Sequence, residues 1–353
     1  MRFLPLLAAI LTPLGSVAAQ PDSALSAANR SEVLAAAIKA FNDGYIFPDI
    51  AAKMERDIDA RLRRGEYDTV TIAPRFAALL TADLRRVSHD KHILVEWNST
   101  PSSAAVRSSS APQDKEKALE AERQESAFIN FGFRRVERLP GNIGYLDLSF
   151  FDRPQFGSAT ATAAMTFLHH TDALIIDLRD NDGGRPEMVA LLISYLMEKP
   201  TALTGIYWRR NARMDSSRTV LLPDSLKYIG KPVYLLTSNS GTVSAAEAFA
   251  YDLHLLRRAT LVGEVSAGAA NPGGMVRLTD HFRLFVPSGR AVSPITSTNW
   301  EGVGVQPDIR VGAPKAFLTA YLDALKSLES RTSSEERKRY LRSAMEHAQL
   351  EVR

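Results

Sequence analysis

The sequence predicts an α/β protein in which parallel strands alternate with helices, preceded by a small helical subdomain. Three observations predict this fold. Residues 30–90 are rich in helix formers, residues 98–124 are polar, and apolar strand patterns alternate with helix patterns from residue 144 to residue 263. Such alternation is typical of parallel βαβ units whose helices cover the sheet.

The composition is that of a globular protein with a sizeable core, because 45% of the 353 residues are hydrophobic and 24% are charged. The formal net charge is +3 and the acidic and basic residues are interleaved, so no nucleic-acid partner is expected. The chain has no cysteine. This excludes disulfides, a thiol nucleophile and a cysteine for lipid attachment.

The first residues predict a secretory signal peptide over residues 1–19. A short positive end precedes the apolar run 3–14, and small residues follow at Val17 and Ala19. We expect cleavage after Ala19. The apolar run is too short to cross a membrane, so the prediction is a periplasmic or secreted protein without stable membrane insertion.

The helical subdomain is predicted to span residues 20–97. Helical periodicity occurs in three stretches, which are residues 30–43, 49–64 and 72–87. Pro48 can open the second helix, and Gly65 can close it. A strand over residues 92–97 ends the subdomain. Residues 98–124 are Ser-, Ala- and Pro-rich and then heavily charged, which favours a linker that can hold an exposed helix.

The α/β domain is predicted to span residues 125–353, with helices at its C-terminal end. The predicted strands are residues 144–150, 173–178, 233–236, 259–263 and 309–311. The predicted helices are residues 157–168, 187–197, 245–256, 314–328 and 334–347. Residues 275–286 have the pattern of a hairpin.

Ser244 lies where the turn after the strand 233–236 enters the next predicted helix. One interpretation is an N-cap, in which the serine oxygen accepts a backbone N–H of the helix. The other is a nucleophile beside free backbone N–H groups that can hold an oxyanion.

A second motif, Asp-Leu-Arg-Asp-Asn-Asp-Gly-Gly, covers Asp177 to Gly184 and follows a buried strand. Open α/β sheets place their binding sites at this end of their strands. The adjacent Gly183 and Gly184 allow unusual backbone conformations and a close ligand approach, and their N–H groups can face an oxyanion. The alternative is a plain turn into the next helix.

Two further residues are candidates for acid–base roles. His92 lies at the junction of the helical subdomain and a strand, and imidazole titrates near working pH; a structural or surface role is the alternative, and His89 is its nearby competitor. Glu301, in the loop 299–308, can orient such a base or bind a substrate amine, or it can be a solvated loop carboxylate.

Taken in order, these segments resemble the tail-specific (C-terminal processing) serine peptidase family. The similarity is greatest to its branch without a PDZ insertion, related to the tricorn core protease and to interphotoreceptor retinoid-binding protein. The motifs that carry the resemblance are Asp177–Gly184, Ser244–Glu247, Arg257–Glu264 and Tyr45–Pro48. The resemblance covers roughly residues 30–312 and implies a crotonase/Clp-protease-like ββα spiral core behind an N-terminal helical subdomain.

The resemblance also implies roles for single residues. Ser244 matches the nucleophile, and the oxyanion hole is expected from the N–H of Ala245 and one N–H of the pair Gly183 and Gly184. Better-known members use a lysine as base. Here Ala269 stands at that position, and no lysine occurs from residue 232 to residue 314.

The tricorn-like arrangement instead implies His92 as the base, with Glu301 as its partner. Lys91 replaces a small residue that, as serine, assists the histidine in tricorn, so the roles of Lys91 and Ser88 stay open. No metal or cofactor is expected.

The resemblance implies a serine peptidase that cleaves peptide or protein substrates through an acyl-enzyme. Two alternatives stay open: a binding protein for small apolar ligands on the same scaffold, and a hydrolase of non-peptide esters or amides. The presence of serine, histidine and the glycine turn favours catalysis. No PDZ-like insertion lies between Trp97 and Phe131, so substrate recognition is expected to be simpler or differently placed.

Overall fold

The computed structural model of the chain describes residues 23–101 and 112–350, with the backbone alone for residues 112–115. The predicted signal peptide, residues 1–19, lies outside the described residues, as does part of the predicted linker. Within the described parts of the chain, no helix combines the length and the apolar character needed to cross a membrane.

Helices make up both ends of the described chain and cover its centre. In chain order they are α1 (Ala27–Gly44), α2 (Pro48–Arg63), α3 (Ala73–Ser88), α4 (Pro112–Phe128), α5 (Pro154–Leu168), α6 (Pro186–Leu196), α7 (Ala245–Leu255), α8 (Ala313–Arg331) and α9 (Glu335–Leu350).

The strands of the described residues form three sheets. In chain order they are β1 (Leu94–Trp97), β2 (Phe133–Leu139), β3 (Ile143–Leu148), β4 (Ala173–Asp177), β5 (Ala202–Trp208), β6 (Arg213–Arg218), β7 (Val233–Thr237), β8 (Thr260–Gly263), β9 (Gly273–Arg277), β10 (Phe282–Pro287), β11 (Gly289–Val292) and β12 (Ile309–Arg310).

The three N-terminal helices predicted from periodicity are confirmed as α1, α2 and α3. Pro48 opens α2 as predicted, because the ring fixes a helical φ and the first turn needs no N–H from it. Gly65 follows the end of α2 with φ +68°, a left-handed conformation that suits glycine at a helix terminus.

The central sheet has six strands in the order β12-β8-β7-β4-β3-β2, and neighbouring strands are parallel except for the antiparallel pair β2 and β3. Alternate residues of each inner strand face opposite sides. Leu174, Ile176 and Leu235 pack against α5, α6 and α7. Ile175 and Leu236 pack against α8 and α9. Both faces of the sheet are therefore covered, as parallel sheets require.

A separate core joins α1, α2 and α3 to a small antiparallel sheet with the order β1-β10-β9. Phe76 is fully buried and meets Phe282 edge to face, with ring centroids 6.0 Å apart. The hairpin β9–β10, distant in sequence, thus completes the core of the helical region. The mixed α/β fold with an N-terminal helical region is confirmed.

Four strands of the described residues were not predicted: β2, β5, β6 and β11. The segment β6 has the sequence Arg-Met-Asp-Ser-Ser-Arg, and β2 carries three arginines and a glutamate. Neither shows the apolar alternation that signals a strand. Both are held in place by pairing with a neighbouring strand, which a local pattern does not record. The exposed helix expected within the linker is α4, which extends to Phe128.

Candidate active site

Two turns meet at the carboxyl edge of the central sheet, one after β4 and one after β7. The Asn181 N–H donates to the Gly241 carbonyl at 2.6 Å, and the Val243 N–H donates to the Asn181 carbonyl at 3.2 Å. The fully buried Asn181 amide also donates to the Leu148 carbonyl at 2.7 Å. These bonds hold the glycine turn against the segment that ends at Ser244.

Ser244 precedes α7 with φ +56° and ψ −113°. An ordinary N-cap residue has an extended backbone, so this conformation is strained by roughly 1–3 kcal/mol. The Ser244 N–H donates to the Glu247 carboxylate at 3.0 Å, and its carbonyl accepts the Ala248 N–H at 3.0 Å. A strained serine between a strand and a helix has the geometry of a nucleophile elbow.

Gly183 and Gly184 have φ values of +90° and +131°. A Cβ atom on Gly183 would lie 2.9 Å from the Ser244 Cβ and 3.0 Å from the Ala245 nitrogen. A Cβ atom on Gly184 would lie 2.1 Å from the Phe151 carbonyl oxygen. Only glycine therefore fits at either position, and the turn touches the serine directly.

The N–H groups around Ser244 differ in their partners. The Gly183 N–H donates to the Asn181 side chain at 2.9 Å. No acceptor within the described residues binds the N–H of Gly184 or of Ala245. These two donors are thus left free to hold a negatively charged oxygen.

Glu247 is fully buried and accepts four hydrogen bonds. Its donors are the Ser244 N–H at 3.0 Å, the Ser266 hydroxyl at 2.5 Å, the Gly268 N–H at 2.5 Å and the Ala269 N–H at 2.8 Å. Burial raises the pKa of this carboxyl. Sequence reasoning gave Glu247 no role, although a glutamate three residues after a helix-capping serine is the capping-box pattern.

The segment from Ala267 to Asn271 links the surroundings of Ser244 to those of His92. The Ala267 N–H donates to the Thr242 carbonyl at 3.1 Å, and its own carbonyl accepts the exposed Lys91 ammonium. The Ala270 N–H donates to Glu301 at 2.6 Å. Lys91 thus anchors this loop. Ala269, which stands at the position matched to the lysine base, is buried beside Glu247.

His92, Glu301 and Asp90 come together although Glu301 is far from the other two in sequence. One donor atom of each lies within 4.8 Å of the others. The His92 ring stacks on Phe285 with centroids 5.8 Å apart. The His92 Nδ1 and the Glu301 Oε1 are buried and have no hydrogen-bond partner within the described residues. Imidazole and carboxylates are also ligands of divalent metals, and these three could hold one.

Asp90 was not predicted as part of the site. It is buried and accepts hydrogen bonds from the Tyr45 hydroxyl at 3.1 Å, the Asn271 side-chain amide at 3.0 Å and the backbone N–H of His92 at 3.0 Å. Its position two residues before His92 was the available signal. The Ser88 hydroxyl, whose role was open, donates to the Leu84 carbonyl at 2.8 Å and accepts the Asp90 N–H at 3.2 Å.

Burial is the main cause of the pKa shifts of Glu301 and His92. Burial, followed by the charge of Asp90, raises the pKa of Glu301 to about 8. Burial lowers the pKa of His92 below its ordinary value, although Asp90 opposes the shift. At neutral pH the site therefore combines a neutral imidazole with a protonated Glu301.

The predicted site residues thus form two groups. Ser244 lies with Ala245 and the glycine pair, and His92 lies with Glu301. No hydrogen bond joins the Ser244 hydroxyl to the His92 ring within the part of the chain that the structure describes. His89, the competing histidine, is exposed and ends α3 in a left-handed conformation.

The chain is similar in sequence and in fold to known proteins. A carboxy-terminal-processing protease of Bartonella bacilliformis is 28% identical over 183 residues, which are 50% of this chain and 40% of that protein. The chain thus spans less than half the length of this relative. The tricorn protease structure has a TM-score of 0.53 and 14% identity, covering 86% of this chain and 37% of that chain. A candidate peptidase from Parabacteroides merdae has a TM-score of 0.54 and 18% identity, covering 80% of this chain and 90% of that chain.

These two structures share the fold of this chain. The model of peptidase family S41 matches residues 142–311, and the model of the N-terminal domain of this family in eukaryotic IRBP matches residues 24–139. Together the two models cover the chain from residue 24 to residue 311 apart from two positions. The chain belongs to peptidase family S41.

Proposed function

We propose that this protein is a serine peptidase with Ser244 as nucleophile and His92 as general base. The observation that carries the proposal is the strained backbone of Ser244 beside two unoccupied N–H groups, those of Gly184 and Ala245. A capping serine does not need the strained backbone, whereas acyl transfer needs the free N–H donors.

In the proposed reaction, His92 takes the proton of Ser244, and the serine oxygen attacks the carbonyl carbon of a peptide bond. The N–H groups of Ala245 and Gly184 stabilise the tetrahedral oxyanion. The C–N bond then breaks as His92 protonates the leaving amine. Water, deprotonated by His92, hydrolyses the acyl-enzyme and restores the serine. Gly183 is not proposed as an oxyanion donor, because its N–H already donates to the Asn181 side chain.

Glu301 and Asp90 would support the charge that develops on His92. When the imidazole gains the serine proton, its positive charge favours the ionised form of a carboxyl group within 4.8 Å. His92 and Glu301 therefore titrate as a coupled pair rather than as two separate groups.

The reaction requires His92 and Ser244 to meet. Catalytic hydrogen bonds are often long without substrate and shorten only in the Michaelis complex. His92 belongs to the helical region and Ser244 to the central sheet, and the loop 267–271 contacts both sides. We expect substrate to bring the helical region towards α7.

The proposed substrates are peptides or proteins, as the names of the relatives suggest, and the proposed location is the periplasm or the exterior. The location rests on the predicted signal peptide, residues 1–19. The chemistry proposed needs only side chains and backbone groups of this chain.

The test is labelling by a fluorophosphonate probe together with cleavage of a peptide library. We expect the wild type to be labelled and to cleave peptides, and both activities to disappear in Ser244→Ala. His92→Ala should lose at least 10²-fold in rate. His89→Ala, a change of an exposed neighbouring histidine, is the matched control and should keep full activity. Equal labelling of the wild type and Ser244→Ala would refute the proposal.

A further inference from the structure

The antiparallel sheet β1-β10-β9 packs one face of β1 and β10 on the helical core and leaves its other face open. Directly opposed residues of neighbouring strands point to the same side of a sheet. Val95 and Leu284 oppose each other and are buried in the helical core, with 4% and 0% exposure. The other face therefore looks away from the helices.

An apolar row crosses this open face. Phe285 is opposed by Leu94 on β1 and by Met275 on β9, so the three side chains lie side by side. Leu94 and Met275 are each 39% exposed, and Phe285 is half-buried. Burial of such apolar side chains by a partner would be favourable, because it removes their surface from water.

The apolar row is continuous with the proposed active site. The ring of Phe285 stacks on the His92 ring, with centroids 5.8 Å apart and planes at 23°. Next to the apolar row, on the same face of the sheet, Arg283 lies opposite Glu96 and Arg277. Arg283 pairs with Glu96 at 2.8 Å, and Arg277 pairs with Asp280. The row thus offers an apolar surface next to the histidine and a paired ionic surface beyond it.

Strand β9 is the edge of this sheet within the described residues, and residues 274–277 on it are exposed. An edge strand presents backbone N–H and C=O groups to which an extended peptide can pair. Gly274 has no heavy atom within 4 Å of the place where a Cβ would stand, so a second strand could approach there.

We propose that Leu94, Phe285 and Met275 form a subsite for a large apolar side chain on the leaving-group side of the cleaved peptide bond. This inference rests on the proposed function. Because His92 must reach the leaving nitrogen to protonate it, the residue that carries this nitrogen, or the one after it, lies over the ring of Phe285. The occupant is an extended peptide with leucine, methionine or phenylalanine at one of these positions.

The experiment compares cleavage sites in a peptide library, read by mass spectrometry, for the wild type, Met275→Glu and Leu94→Glu. The wild type should cleave peptides with a large apolar residue on the leaving-group side at least tenfold faster than peptides with a glutamate there. Each variant should reduce this ratio about tenfold or more and raise the relative rate for lysine at the same position.

The matched control is Phe167→Glu. Phe167 is 59% exposed on α5, near the start of β4, at the sheet edge opposite Ser244. This variant should keep the wild-type preference. Fluorophosphonate labelling, which involves no leaving-side peptide, is measured for each protein and normalises the rates to competent serines.

The outcomes are distinguishable. A wild type that is labelled at Ser244 but has no apolar preference on the leaving-group side would overturn the subsite and leave the proposed function intact. An apolar preference unchanged in both Met275→Glu and Leu94→Glu would also overturn it. A wild type that is neither labelled nor able to cleave would refute the proposed function and the subsite together.

Discussion

A carboxylate oxygen of Glu301 lies within 4.8 Å of a ring nitrogen of His92, and the Glu301 Oε1 and His92 Nδ1 are both buried without a hydrogen-bond partner within the described residues. Glu301 comes from the loop before β12, and His92 precedes β1 in the helical region. The contact between these distant segments makes the ionisation of one residue depend on the other.

The first prediction concerns the pH dependence of catalysis. Because burial lowers the pKa of His92, the neutral base persists below its ordinary pKa of 6.5. We expect the acid limb of kcat/KM for a peptide substrate to have its midpoint below pH 6.5. Asp90→Asn removes a charge that raises this pKa, so its acid limb should move to still lower pH. A limb that moves upward in Asp90→Asn would contradict this account.

The second prediction concerns stability and Glu301. Its folded pKa, about 8, lies above the ordinary 4.5, so the folded state binds the proton more tightly than the unfolded state. The associated stability is complete below pH 4.5 and is lost as the pH rises through 8, by at most about 1.4 kcal/mol per pH unit. Glu301→Gln should therefore gain stability relative to the wild type between pH 5 and pH 9.

Urea unfolding at pH 5, 7 and 9 measures this difference, and titrating groups that do not interact with Glu301 cancel because both proteins contain them. Glu335→Gln, a change of an exposed carboxylate on α9, should show no such gain. A constant difference between Glu301→Gln and the wild type across this range would show that Glu301 is not protonated in the folded protein.

The third prediction concerns Glu247. A glutamine has one acceptor oxygen, so Glu247→Gln leaves at least one of the three buried backbone N–H donors without a partner. Each unsatisfied group costs about 1–3 kcal/mol. We expect a lower free energy of unfolding and slower fluorophosphonate labelling of the folded protein, because Ser244 loses its backbone contact.

Asp252→Asn is the matched control for Glu247→Gln. Asp252 is also a buried carboxylate on α7, but it accepts hydrogen bonds from Thr204 rather than from groups at the site. Its loss should lower stability and leave the labelling rate of folded protein near that of the wild type. Equal labelling rates in the two variants would mean that Glu247 does not position Ser244.

The fourth prediction concerns the glycine turn. In Gly183→Ala the new methyl group would press on Ser244 and the Ala245 nitrogen, so the oxyanion donors move. We expect kcat to fall on the order of 10²-fold, as when an oxyanion donor is lost. Gly312→Ala, whose new Cβ would meet nothing closer than 3.9 Å, should keep wild-type kcat. Similar kcat values for Gly183→Ala and Gly312→Ala would show that the glycine turn has no role in catalysis.

Much of the fold could be predicted from local patterns, because each helix or strand is marked by the spacing of apolar residues within a few positions. Apolar periodicity predicted α1, α2 and α3 and the alternating units of the central sheet, since each pattern reflects burial of one side of an element. The strands β2 and β6 were missed for the converse reason. Their residues are mostly polar, and pairing with a neighbouring strand holds them in place.

Turn and cap chemistry is local, so residue patterns were enough to predict a serine at the start of a helix and two glycines after a buried strand. The packing of distant segments was needed to show that Glu247 binds four donors, that Asp90 joins His92 and Glu301, and that an open apolar row extends through Phe285 to the histidine. These contacts link segments far apart in the chain. Their distances depend on how the sheet and the helical core pack, which no local pattern records.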